Sequence, residues 1–246
     1  MEGCTLQAND KLIVALDVPT LEEAEEIVSL LVPLVGIFKI GLQLYSSCGP
    51  KAVEMVQRYG ARVFLDLKLH DIPHTVADAG RVITGLGVGM FTLHVAGGLS
   101  MLRAAVQAAR EEALARGIPC PMLLGVTLLT SLQVEDVRRI GLGTSVIDVV
   151  QRWAGLAREA GLDGVVASPR EVRVLRLALG PEFILVCPGI RPAWSGLGDQ
   201  KRTMTPREAA RVGVDYLVVG RPIVEADDPV QAVTRIIQEI EEGLSC

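Results

Sequence analysis

The sequence has no Cys-x-x-Cys pair, and its five cysteines, Cys4, Cys48, Cys120, Cys187 and Cys246, are scattered and odd in number. With only three histidines beside them, neither a zinc site nor a disulfide framework is expected. A reducing cytoplasm is the natural compartment for such a chain. There is no basic run, and 24 Lys and Arg against 29 Asp and Glu leave a net charge of −5. Nucleic-acid binding therefore has little support. Any anionic ligand must be held by local positive groups rather than by an overall field. Met1–Lys11 lacks both the basic and the apolar region of a signal peptide, so none is expected. The most apolar early stretch, Leu30–Ile40, is broken by Pro33 and Gly36 and carries Lys39. It is too short to span a bilayer. No linker, low-complexity tract or shift in composition divides the 246 residues, so one domain over 1–246 is the simplest expectation.

What is present is a rhythm. Short apolar runs alternate with longer helical patterns eight times. Strands are expected at Leu12–Leu16, Gly36–Ile40, Arg62–Lys68, Gly89–Val95, Met122–Leu129, Gly164–Ala167, Phe183–Cys187 and Tyr216–Val219. The intervening helices are expected at Thr20–Leu31, Pro50–Tyr59, about Pro73–Thr84, Ser100–Ala115, Val146–Ala160, Arg170–Leu179 and Pro206–Val212, with Pro229–Glu242 last. Thr20 is the expected N-cap of the first, with Glu22 and Glu23 in its first turn. Nearly continuous apolar strands imply a parallel sheet covered on both faces. Eight such units in a chain of about 250 residues are the signature of a (β/α)8 TIM barrel. An open doubly wound sheet is the alternative, but no Gly-x-Gly-x-x-Gly follows the first strand.

The segment Phe64-Leu-Asp-Leu-Lys-Leu-His-Asp-Ile-Pro-His-Thr75 is the most informative. Asp66, Lys68 and Asp71 stand in the pattern Asp-x-Lys-x-x-Asp at the end of an apolar strand. Residues i and i+2 of a strand share a face, so Asp66 and Lys68 lie on one side, with Leu65, Leu67 and Leu69 on the other. Desolvating an acid and an amine together is expensive unless chemistry or a fixed partner requires it.

In a barrel of this kind the C-terminal strand ends face the active site. Those ends carry Asp17, Lys39, Asp66 with Lys68, His94, Thr130 with Ser131, Ser168, Arg191, and Gly220 with Arg221. Acids and bases alternating over the first three strands form a charged floor, a pattern that points to function more than to isolated structural ion pairs. After the eighth strand, Gly220-Arg221-Pro222 suits a phosphate dianion through backbone N–H groups and an arginine fork. An ordinary turn bearing a surface arginine fits those residues equally well. The loop Pro188–Thr203 is long and glycine-rich, which suits a lid hinged at Gly196 and Gly198. Arg191, Gln200, Lys201 and Arg202 are its candidate anion contacts. His70 and His74 read as hydrogen-bonded structural residues, and His94 is undecided. Cys187 reads as core, Trp153 as helix packing and Trp194 as lid. Glu22–Glu26, Arg138–Arg139 and Glu239–Glu242 read as solvated helix faces.

Taken together, these residues resemble the orotidine 5'-monophosphate decarboxylase family, in its bacterial form, over essentially the full length. The pieces that carry the resemblance are Leu16-Asp17, Phe38-Lys39-Ile-Gly41, Asp66-Leu-Lys68-Leu-His-Asp71-Ile-Pro73, Leu129-Thr130-Ser131, Pro188-Gly-Ile-Arg191, Gly198-Asp-Gln200 and Val219-Gly220-Arg221-Pro222. The resemblance implies a homodimer of (β/α)8 barrels, each site completed by the other subunit, and no cofactor or metal. It implies a charged array of Lys39, Asp66, Lys68 and Asp71 from the other subunit, with Lys68 as proton donor. Asp17 and Lys39 would hold ribose hydroxyls, with Asp71 and Thr75 reaching across the interface. Thr130 would lie near the pyrimidine edge and Gln200 would bridge base and phosphate. Arg191, Gly220 and Arg221 would complete substrate binding, Arg221 on the phosphate. Leu69 and His74 depart from the Phe and Asn of close relatives; the second leaves a detail near the interface open.

The charges fit this chemistry on their own terms. Losing CO2 from C6 of orotate leaves an electron pair in the ring plane, outside the π system, and no pyridoxal or metal motif supplies a sink. An ammonium at C6 can stabilise that pair and then protonate it, so Lys68 must stay charged in a partly dry site. Two rivals remain open. Sugar-phosphate enzymes of the same superfamily share Asp-x-Lys-x-x-Asp but use Mg2+ held by an acid on strand two, where this chain has Lys39. A silent phosphate-binding barrel would keep Gly220-Arg221 and have no need of the Asp–Lys pair.

Overall fold

The computed structural model describes residues 7–195 and 203–245. A short helix, α1 (Ala8–Lys11), leads into β1 (Leu12–Ala15), and α2 (Leu21–Leu31) leads to β2 (Ile37–Gly41). Then α3 (Leu42–Cys48) and α4 (Pro50–Arg58) precede β3 (Arg62–Leu69), α5 (Pro73–Gly85) precedes β4 (Met90–His94), and α6 (Gly98–Arg116) precedes β5 (Met122–Val126). Helices α7 (Val134–Arg139) and α8 (Val146–Ala160) lead to β6 (Gly164–Val166), α9 (Val172–Leu179) to β7 (Ile184–Cys187), and α10 (Pro206–Arg211) to β8 (Tyr216–Val219). Finally come α11 (Arg221–Val224) and α12 (Pro229–Leu244). Each strand pairs in parallel with its neighbours in sequence, and β8 pairs with β1. The sheet is therefore closed, as the alternating pattern predicts.

Strand residues sort by parity into two cores. Ile13, Ile37, Phe64, Met90, Leu124 and Val186 pack together with Tyr216 and Val218 inside the barrel. Their neighbours Leu12, Val14, Phe38, Leu65, Phe91 and Leu93 face the helices. Both faces being buried explains why the strands read as continuous apolar runs. Phe38, Phe64 and Phe91 are fully buried, each stabilising the fold by about 1.5–3 kcal/mol relative to exposure.

Helix boundaries follow local chemistry. The Thr20 hydroxyl accepts the Glu23 N–H, so α2 begins where the cap predicts. Helix α8 matches its expected bounds, held by Ser145 at one end and by left-handed Gly161 at the other. Four short helices differ from expectation, the first being α1, a single turn before β1. Helix α3 follows β2 without a loop and has no side-chain cap, and its Tyr, Ser and Cys are weak helix formers. Helix α7 is six residues long, and α11 starts directly after Gly220. Strand β5 also stops earlier than the apolar run suggests. Thr127 still donates its N–H to the Val166 carbonyl at 3.2 Å as the last ladder bond, its hydroxyl donates to the same carbonyl at 2.9 Å, and the regular pairing ends there.

The N-terminal end of the barrel is fastened by Arg176 on α9. Its guanidinium donates to the carbonyls of Gly180, Pro181, Phe183 and Gly213 and to the Asp215 carboxylate at 2.8 Å. The same carboxylate oxygen accepts the Leu185 N–H. One side chain thus ties α9, β7 and the entry to β8. Features at this end of a barrel serve stability.

Candidate active site

The C-terminal strand ends surround a cavity whose apolar base is Ala15, Phe64, Val166 and Val218 of the inner core. Asp17, Lys39, Asp66 and Lys68 line its floor, Leu128 to Ser131 one wall, and Gly189, Arg191, Gly220 and Arg221 the opposite side. Sequence reasoning placed these residues at strand ends, and barrel closure brings them into one hollow.

The four floor charges form a chain of alternating sign. Lys39 Nζ lies 3.0 Å from Asp17 Oδ1 and 3.8 Å from Asp66 Oδ2, and Lys68 Nζ lies 2.8 Å from the same Asp66 oxygen. Side-chain exposure rises from 11% and 14% at Lys39 and Asp66 to 28% at Lys68 and 49% at Asp17. The array is therefore driest at Lys39 and Asp66 and opens to water at Asp17. Charges this shielded are tolerable only as a mutually compensating set. Gly41 belongs to the same set for a steric reason. A Cβ there would lie 2.8 Å from Lys39 Nζ and 3.2 Å from Asp17 Oδ1.

Strand β3 reaches this position by departing from regular geometry. Its register with β4 steps from Leu65 opposite Phe91 to Leu69 opposite Leu93, a bulge of the kind that re-aims side chains beside active sites. Within it, Lys68 is the one non-glycine with positive φ among the described residues, at 55°. That backbone costs of order 1 kcal/mol and persists only where the surroundings hold it. The simple i, i+2 argument puts Asp66 and Lys68 on the correct face, with Leu65, Leu67 and Leu69 packed outward. It does not foresee the bulge. Nor does it foresee Thr92, a fully buried residue of β4. The Thr92 hydroxyl donates to Asp66 Oδ1 at 3.0 Å and accepts the Lys68 N–H at 2.8 Å. A lone hydroxyl in the run Met90-Phe-Thr-Leu-His94 was the available signal.

At the far side, Arg191 is buried and donates to the Ile190 carbonyl at 3.0 Å. Its N–H bonds the Met204 carbonyl, so the two ends of the loop after β7 are tied beside the cavity. Gly189, at φ 78°, makes the turn that aims this loop inward. Arg191 and Arg221 also border an adjoining hollow with Trp194 and Ser195. Trp194 stacks on Arg235 of α12, the guanidinium carbon 4.5 Å from the ring centre. It also hydrogen-bonds Glu239, whose carboxyl is raised above the usual range, chiefly by burial. Glu239 is thus partly withdrawn from the solvated face expected for it. Gln200, Gly196, Gly198, Lys201 and Arg202 lie outside the described residues.

Other expected site residues stand apart. Asp71 and Thr75 are exposed on the far side of the bulge and do not line this chain's own cavity; Asp71 Oδ1 accepts the Ile72 N–H. Ser168 is buried and caps the turn at Pro169–Glu171, so its role is structural. His94 does not line the cavity either. It stacks on His70 with ring centres 5.2 Å apart, meets Trp153 edge-on, and accepts the Ala96 N–H at Nδ1. Burial, then His70 and Lys68, hold its pKa below the usual imidazole value. Exposed His74 pairs with Asp78 on α5. Cys187 is fully buried, and burial pushes its thiol pKa well up, which fits a core residue. Among the described residues, no group of three His, Cys, Asp or Glu side chains is arranged to hold a metal ion, and no helix is long and apolar enough to cross a membrane.

Residues 10–236 match the Orotidine 5'-phosphate decarboxylase / HUMPS family. The chain belongs to this family. It is 56% identical over 241 residues to the orotidine 5'-phosphate decarboxylase of Moorella thermoacetica, covering 98% of this chain and 96% of that protein. It is 50% identical over 239 residues to the protein of the same name from Syntrophomonas wolfei, covering 96% and 100%. The crystal structure of orotidine 5'-phosphate decarboxylase from Lactobacillus acidophilus superposes with a TM-score of 0.82 at 34% identity, covering 94% of this chain and 99% of that one.

Proposed function

We propose that this enzyme decarboxylates orotidine 5'-monophosphate to UMP and CO2, the last step of de novo pyrimidine nucleotide synthesis, without cofactor or metal. The observation that carries the reading is the Asp17–Lys39–Asp66–Lys68 chain of charges on the cavity floor. The C6–carboxylate bond breaks, CO2 leaves, and the electron pair stays on C6 facing the Lys68 ammonium. Lys68 then gives its proton to C6 and recovers one from solvent. Most of the effect is electrostatic, because the positive charge already stands where negative charge develops. Asp66 holds Lys68 in place, its Oδ2 accepting from Lys68 Nζ at 2.8 Å.

Lys39 and Asp17 hold the ribose hydroxyls. Thr130 meets the pyrimidine edge and Gln200 bridges base and phosphate. Arg191, Gly220 and Arg221 complete substrate binding, Arg221 taking the phosphate by the two-pronged contact that suits it. The exposed position of Asp71 and Thr75 supports a homodimer in which these residues complete the site of the other subunit. The compartment is the cytoplasm, and residues 1–246 act as one catalytic domain. A Mg2+-dependent sugar-phosphate reaction of the same family would put a divalent ion where Lys39 already stands between two carboxylates, and the cation repels it.

The test is loss of orotidylate absorbance with purified enzyme in EDTA. Full turnover is expected, and a folded protein inactive toward this substrate overturns the reading.

A further inference from the structure

We infer that Thr92 is a positioning residue for the reaction, holding Asp66 and the Lys68 backbone in the one arrangement that aims the ammonium into the cavity. The inference rests on the proposed decarboxylation and goes beyond it, because Thr92 does not line the cavity.

The direction of each hydrogen bond is fixed by chemistry. A hydroxyl has one hydrogen to give and lone pairs to receive. The Lys68 N–H, 2.8 Å away, can only donate, so Thr92 accepts there. Ionised Asp66 can only accept, so the single hydroxyl hydrogen points at Oδ1, 3.0 Å away. Both bonds form together without conflict. They leave Asp66 Oδ2 for Lys68 Nζ at 2.8 Å. The three groups therefore close a ring: hydroxyl to carboxylate, carboxylate to ammonium, and ammonium through its own backbone back to the hydroxyl.

The bulge makes this ring necessary. Between the Leu65–Phe91 and Leu69–Leu93 pairs, β3 carries two more residues than β4, so the ladder has no β4 carbonyl in register for the Lys68 N–H. The side chain of Thr92 supplies the acceptor. Without it, a part-buried N–H at a left-handed residue loses its partner, and the backbone is freed to relax out of φ 55°. Lys68 Nζ would then swing away from the cavity and Asp66 would lose one of its three contacts. Valine has nearly the shape of threonine and neither hydrogen bond. Serine keeps both bonds and loses only a methyl group.

The experiment compares wild type, Thr92→Val, Thr92→Ala and Thr92→Ser for kcat, KM and exchange of the Lys68 amide hydrogen by NMR. A misplacement of about 1 Å costs about a hundredfold in rate, so T92V is expected to lose about that much in kcat. Its KM should stay within threefold, and its Lys68 amide should exchange faster. T92S should recover most of the rate, and T92A stands in if T92V does not fold. A merely structural role would lower thermal stability and leave kcat at 25 °C unchanged, so kcat of T92V or T92A within threefold of wild type overturns the inference and leaves the decarboxylation standing. T92S as impaired as T92V also overturns it, because the hydroxyl is then irrelevant. An inactive wild type overturns both.

Discussion

Replacing Lys68 by alanine removes the charge on which the mechanism turns, and the structure allows the loss to be sized. Lys68 is about a quarter exposed, a setting in which an effective dielectric near 20 is appropriate. An ammonium about 3 Å from a developing unit charge then contributes roughly 5 kcal/mol to the transition state, or about four orders of magnitude in kcat. Loss of the proton donor adds a factor of about 10² or more. The fold should survive. Asp66 keeps the Thr92 hydroxyl and Lys39 at 3.8 Å, so no carboxylate is stranded. Alanine meets φ 55° with strain similar to that of lysine. The Lys68→Ala enzyme should therefore melt within a few degrees of wild type, bind UMP within about tenfold by calorimetry, and turn over at least about 10⁴-fold more slowly in the absorbance assay. A kcat loss below tenfold in a folded variant refutes the assignment of Lys68 to C6.

Three further outcomes test other parts of the account. Arg176→Ala removes the clamp at the N-terminal end and should cost about 3 kcal/mol, read as a fall in Tm of about 6–12 °C with kcat at 25 °C unchanged; an unchanged Tm contradicts it. Gly41→Ala should leave Tm nearly unchanged, since its φ of −94° suits alanine, yet push Lys39 Nζ aside and lower kcat/KM at least about tenfold; unaltered kinetics show that Lys39 tolerates displacement. The neutral form of His94 is favoured by burial in the folded chain, so below about pH 6.5 the unfolded chain binds the proton more readily and stability falls as pH drops. Denaturant titrations from pH 7.5 to 5 should show a smaller loss in His94→Gln than in wild type, and equal slopes exclude the burial argument.

The barrel was legible because both faces of every strand are buried, so strands stand out as apolar runs and helices as amphipathic stretches between them. Edges were harder. Strand β5 ends at Val126, where the Thr127 hydroxyl joins its N–H on the Val166 carbonyl, and the apolar run up to Leu129 does not mark that boundary. The charged floor was legible for a different reason: Asp17, Lys39, Asp66 and Lys68 are expensive residues at strand ends, and closure of the sheet leaves them one place to go. Thr92 was missed because a hydroxyl within a strand is cheap and common. Its significance depends on a bulge in the adjacent strand that no local pattern encodes. Ser168 misled in the opposite sense, being a strand-end residue engaged by its own turn.

Turnover of orotidine 5'-monophosphate in D2O by metal-free enzyme, followed by proton NMR, tests the central claim most directly. An ammonium that meets the C6 electron pair and protonates it delivers one deuterium to C6 of UMP, and the Lys68→Ala enzyme forms no such product on the same timescale. UMP formed equally fast without Lys68, or substrate left intact by folded wild-type enzyme, contradicts it.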